Sequence, residues 1–148
     1  MNTINCLAAL LLCLASTALA DDTRSVTEEL VLSAQQECES FENGEFDVTN
    51  QAIRYEDLTG DGQPEEIVDA SEFSCSSSAS MWGGSGGTYL WVVSGEKQYE
   101  FLAHLWKVIE IGGQKVLVLA VHSSECSDTV GPCYRALIWN DGEFRTTR

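Results

Sequence analysis

Asp57, Thr59, Asp61, Gln63 and Glu65 place an oxygen-bearing side chain at every second position of Asp-Leu-Thr-Gly-Asp-Gly-Gln-Pro-Glu. Calcium takes six to eight hard oxygens from carboxylates, carbonyls and water, and donors at alternating loop positions can wrap one. Gly62, sixth in the stretch, permits the sharp bend this needs. Such a site would be weak, with a dissociation constant on the order of 10⁻⁴ to 10⁻³ M, and would stiffen a hairpin rather than sense calcium. The same residues also suit a plain turn, in which short Asp and Thr side chains bond nearby backbone amides. The spacing leaves both readings open.

Other chemistry is thinner. Gly83-Gly84-Ser85-Gly86-Gly87 matches G-x-S-x-G, but a nucleophile elbow needs a helix after the serine. Thr88 to Val93 reads as strand instead. A hydrolase built on carboxylates would draw on Asp57, Asp61 and Glu65, though no acid–base pair stands at a recognisable spacing. His104 and His122 are the only histidines. With Gly112-Gly113 as a two-residue turn, His104 opposes Val121 and His122 opposes Ala103, which sets the rings on opposite sheet faces. That argues against a two-histidine metal site. Trp82, Trp91, Trp106 and Trp139 could line a sugar-binding surface. Trp91 and Trp106 lie in strand patterns and suit the core, whereas Trp82 lies in a loop and is the expected exposed ring.

The 57–66 stretch resembles the Asp-x-Asx-Gly-Asp-Gly calcium loops of FG-GAP/VCBS-type repeats, and more distantly those of dockerins and EF-hands. It departs from the EF-hand at Thr59 in the third position and at Val68, where that hand places a bidentate Glu. Together with Phe73-Ser74-Cys75, Gly84-Ser85-Gly86-Gly87 and Trp139-Asn140-Asp141-Gly142, it is similar to a group of short exported bacterial proteins. This resemblance covers most of the chain after residue 20. It implies compartment and fold, and no activity.

The elements that must position these residues can be read from periodicity. Ser25-Val26-Thr27-Glu28 fits a capping box. Val26, Leu30, Ala34, Cys38 and Phe41 then recur on one helical face, and Asn43-Gly44 supplies the stop, so a helix is expected over about 26–41. Past residue 50 the period falls to two. Strands are expected at 53–56, 66–70, 88–93, 98–111, 114–122, 134–139 and 143–146, with 73–87 as loop. Gly95-Glu96, Gly112-Gly113 and Asp141-Gly142 supply the hairpin turns. The fold class is mainly β within α+β: an antiparallel meander or barrel-like sheet of about seven strands, with one N-terminal helix packed on it.

The first twenty residues, MNTINCLAALLLCLASTALA, read as a signal peptide ending in the A-x-A pattern Ala18-Leu19-Ala20. Residues 21–148 are then a single domain. Four cysteines follow the signal, and an even count in an exported chain implies two disulfides. Cys126 and Cys133 flank the polar Ser-Asp-Thr-Val-Gly-Pro and are expected to pair locally, which leaves Cys38 with Cys75. Their loop closures are worth about 2.5 and about 4 kcal/mol as upper estimates.

With 8 basic and 23 acidic residues the formal charge is −15. Phosphate backbones need cationic partners, so nucleic acid is excluded as a partner, and an anionic membrane surface is disfavoured. A basic protein is compatible. The reading that follows is an exported periplasmic or secreted monomer, a binding or structural protein without evident catalysis and with calcium as the one cofactor in view. The alternatives are an acidic inhibitor or immunity protein against a basic hydrolase such as a lysozyme, with the 126–133 loop inserting, and a hydrolase.

Overall fold

The computed structural model describes residues 24–126 and 133–147. The expected signal segment and the Ser-Asp-Thr-Val-Gly-Pro loop lie outside them. In the described part, helix α1 (Val26–Ser40) is followed by eleven strands. These are β1 (Phe46–Val48), β2 (Ile53–Glu56), β3 (Glu65–Asp69), β4 (Phe73–Cys75), β5 (Gly83–Gly84), β6 (Gly87–Ser94) and β7 (Lys97–Ala103), then β8 (Leu105–Ile111), β9 (Gln114–Val121), β10 (Cys133–Asn140) and β11 (Glu143–Thr146). Every pairing is antiparallel.

The helix starts where its capping box sits. The Glu28 amide donates to Ser25 Oγ at 3.2 Å, and the Ser25 amide donates to the Glu28 carboxylate at 2.9 Å. These two bonds satisfy donors that a helix start would otherwise leave open. Ala34 and Cys38 are its buried stripe. The chain leaves the helix through Glu42 and Asn43, both at positive φ, into Gly44. A Cβ on Gly44 would lie 2.6 Å from Cys75 Sγ and 2.7 Å from the Cys38 carbonyl, so only glycine lets the turn press against the Cys38–Cys75 bridge.

The strands form three layers with the helix. One sheet runs β2-β3-β6-β7, with the short β5 continuing beside β6. The other is the meander β8-β9-β10-β11. Between them lie Ile67, Leu90 and Val92 from the first sheet and Leu117, Leu119 and Leu137 from the second. The opposite face of the first sheet buries Val68 and Trp91 against Ala34, Cys38, Phe73 and Trp82. β3 and β6 are therefore covered on both sides, which is why Ile67-Val68 and Leu90-Trp91-Val92-Val93 are continuous apolar runs instead of alternating ones. The sheets pack as a sandwich and do not close into a barrel.

Two sequence expectations are corrected. The strand expected over 98–111 is broken at His104: β7 stays with β6 through Thr88 and Ala103, and β8 joins β9 through Leu105 and Ala120. A strand that switches sheets at a bend is how sandwich corners are made. The His104 amide donates to the Ala120 carbonyl at 2.7 Å, and Gly87, at φ +110, lies so close that an added Cβ would stand 2.4 Å from the Ala103 carbonyl carbon. Residues 73–87, expected as loop, contain β4, β5 and a buried tryptophan. The cause is packing from outside the stretch. Phe46, Phe73 and Trp82 meet edge to face with ring centroids 5.5 Å apart.

Both expected disulfides are present, Cys38–Cys75 and Cys126–Cys133, with Cα separations of 5.7 and 6.1 Å. Two such bridges mark a chain of an oxidising compartment. Among the described residues no helix is long and apolar enough to cross a membrane.

Candidate functional site

The loop between β2 and β3 holds four of the five oxygen donors singled out in the sequence, and the fifth, Glu65, opens β3. Asp57 accepts the amides of Gly60 at 2.7 Å and Gly62 at 3.0 Å. Asp61 accepts the Gln63 amide at 2.8 Å. Glu65 points inward and is 3 % exposed. Its carboxylate takes the amides of Leu58 at 2.7 Å and Thr59 at 3.1 Å, the Thr59 hydroxyl at 3.3 Å and the Ser94 hydroxyl at 3.2 Å. A buried carboxylate needs that many donors to offset its lost hydration. The arrangement is a hydrogen-bonded turn organised by Glu65. Among the described residues, no three His, Cys, Asp or Glu side chains gather into a group that could hold a metal.

The histidines are brought together, not separated. The bend at His104 turns its ring toward His122, and the centroids lie 6.4 Å apart. The two-residue turn and its register are as the sequence reading has them, with Ile111 opposite Gln114. The face assignment failed because it assumed an unbroken strand. His122 Nδ1 lies 2.8 Å from the Ser124 hydroxyl and 3.2 Å from the Ser124 amide. This is a cap for the short 3-10 turn Ser123–Glu125.

Ser85 of the G-x-S-x-G stretch sits at the tip of the β5–β6 hairpin, where Gly84 pairs with Gly87. A strand follows it, so there is no elbow. Trp82, expected as the exposed ring of a sugar platform, is 6 % exposed. Its indole N–H donates to Glu37 at 3.1 Å, tying the sheet layer to α1. Trp91 donates likewise to Glu100 at 2.9 Å, and Trp106 to Asp69. Three of the four indoles are thus structural struts.

The feature that the sequence did not disclose is a cleft of about 660 Å³ at the open side of the sandwich. Phe101 of β7, Leu119 and Val121 of β9, Leu137 of β10 and Phe144 of β11 form its apolar floor. Its rim is polar: Ser85 from the β5–β6 tip, His122, Ser124 and Glu125 from the turn after β9, and Arg135 from β10. Arg135 and Glu125 pair at 2.8 Å, each about half exposed. Cys126 packs against the same core and bonds to Cys133, so the Cys126–Cys133 disulfide anchors one rim. The size and the combination of apolar floor with a few polar groups are those of a small-molecule site. One sequence signal was available. Arg135 occupies an inward position of the strand pattern that Cys133 and Leu137 otherwise fill with apolar side chains.

Compared with known protein families, with curated proteins and with solved structures, the chain gave no match.

Proposed function

We propose that the protein is an exported binding protein of the periplasm or extracellular space, without catalysis, and that the cleft between its sheets is the binding site. The observation that carries this reading is the cleft itself: about 660 Å³ of space over an apolar floor, with Arg135 and Ser124 on its rim. Its ligand is a small amphipathic molecule. The apolar body lies on Phe101, Leu119 and Phe144, and the polar head accepts hydrogen bonds from Arg135 in exchange for Glu125. The signal-like first twenty residues and the two disulfides support the compartment. Fluorescence titration with anilinonaphthalene sulfonate, an apolar ring system with an anionic head, tests it. One saturable site is expected, weakened at least about tenfold in Arg135→Gln through loss of a charge-assisted bond. Saturation unchanged in that variant would remove Arg135 from the site, and no saturable binding would remove the proposal.

A second reading is an acidic inhibitor of a basic hydrolase such as a lysozyme. Glu28, Glu29, Glu37, Glu39, Glu42, Glu45 and Asp47 follow one another with no Lys or Arg between them, and all are exposed. A charged surface of one sign accelerates capture of the opposite sign at low salt. Retention on immobilised lysozyme at low salt, lost at high salt, would support it, and no retention at low salt would end it.

Calcium in the 57–65 loop is a separate proposal, carried by the alternating oxygens alone. The Glu65 hydrogen bonds account for the turn without an ion. A calorimetric titration at millimolar calcium that gives saturable heat, abolished by Asp61→Ala, would support the ion. A flat trace would assign the loop to its hydrogen bonds.

A further inference from the structure

The outer face of the β8–β11 sheet carries an apolar patch that no other described element covers. Leu117, Leu119 and Leu137 point into the core, so alternation sends their neighbours out. In one cross-strand row Leu105 pairs with Ala120, which pairs on its other side with Tyr134. In the next row Val118 lies between Lys107 and Ala136, and beyond it Val116 pairs with Ile109. Ala120 and Val116 are themselves buried by these neighbours. Leu105, Ile111 and Tyr134 are 73 %, 63 % and 62 % exposed. An antiparallel sheet with one solvated face ordinarily places polar side chains there. Among the described residues, the helix layer that covers the first sheet has no counterpart on this side.

Charge says what can cover it. These four strands contain two acids, Glu110 and Glu143. Glu110 is turned to the inner side, where it meets Lys115 at 3.7 Å. Glu143 is neutralised by Arg145 at 2.8 Å. Lys107 is the other charged residue facing out. Among the described residues, a chain with a formal charge of −15 thus exposes a face with no uncompensated acid. For a second copy of the same acidic chain, this is the approach that avoids carboxylate repulsion. Apolar rows are also self-complementary, as a two-fold interface requires. Strands of 7, 8, 8 and 4 residues, about 4.8 Å apart, cover roughly 430 Å², so a face-to-face pair buries roughly 900 Å², the size of a weak interface.

We propose that the protein forms a two-fold dimer through the outer face of β8–β11, in place of the monomer expected from its sequence. The association is weak, in the micromolar range, and burying this face leaves the cleft on the inner side of the same sheet open. It does not depend on the cleft binding a ligand.

Sedimentation velocity from low to high micromolar concentration tests it, on the wild type and on Leu105→Glu and Tyr134→Glu. Both side chains are exposed, so circular dichroism and melting should match the wild type in each variant. The wild type is expected to shift from monomer to dimer, with dimerisation weakened at least about tenfold in both variants, as for a charge set into an apolar contact. A wild type that stays monomeric throughout overturns the proposal. So does a dimer unaffected by either variant, since its interface would lie elsewhere. A monomer that floats with phosphatidylcholine vesicles, and no longer does so in Leu105→Glu, would assign the face to lipid and overturn it as well.

Discussion

The rings of His104 and His122 lie with centroids 6.4 Å apart, although the β8–β9 ladder continued by one residue at each end would put them on opposite faces. The bend between Ala103 and Leu105 accounts for it. β7 ends in one sheet, β8 begins in the other, and His104 is the residue between. Gly87 permits the bend, because the Ala103–His104 backbone occupies the space a side chain would need.

The first prediction concerns that corner. Gly87→Ala must accommodate a Cβ 2.4 Å from the Ala103 carbonyl carbon at a φ of +110. A loss of about 3 kcal/mol is expected, or a fall in melting temperature of roughly 10 °C. Urea unfolding measures it directly. A loss under about 0.5 kcal/mol, the range of an ordinary surface change, would mean that the corner relaxes freely.

A second prediction separates the members of the 57–65 loop. Glu65 holds the amides of Leu58 and Thr59 in a buried setting, whereas Asp61 holds one exposed amide. Glu65→Ala strands buried donors and is expected to cost about 3 kcal/mol; Asp61→Ala should cost about 0.5 to 1 kcal/mol. Denaturant melts in the presence of a chelator compare the two with any calcium removed. Equal losses would show that Glu65 does not organise the hairpin.

The disulfides should differ in worth. Cys38–Cys75 closes a sequence separation of 37 and joins α1 to β4, while Cys126–Cys133 closes one of 7. Replacing both cysteines of a pair by alanine should therefore cost about 4 kcal/mol for the first and about 2.5 kcal/mol for the second, as upper estimates. Intact mass with and without reductant first counts the bridges. Four free thiols would contradict the oxidising compartment.

The helix and the bridges were legible because their signals are local. The Ser25–Glu28 box, the Ala34–Cys38 stripe and the Asn43-Gly44 stop all lie within one segment, and α1 follows them. The β-hairpin turns at Gly95, Gly112 and Gly142 were legible for the same reason, each glycine having positive φ. What escaped depends on contacts between distant segments. The break at His104 depends on Gly87, and Trp82 is buried by Phe46 and Phe73, in segments where no strand is expected from the sequence. The cleft takes its floor from β7, β9, β10 and β11, so it exists only once the two sheets have been stacked.

The cleft between the sheets is proposed to bind a small amphipathic molecule. Amide and methyl chemical shifts recorded while anilinonaphthalene sulfonate is titrated into the protein test it most directly. Saturable shifts confined to Phe101, Leu119, Leu137, Phe144 and the Arg135 rim are expected. Shifts centred on Leu105, Val118 and Tyr134 of the outer face, or none that saturate, would contradict it.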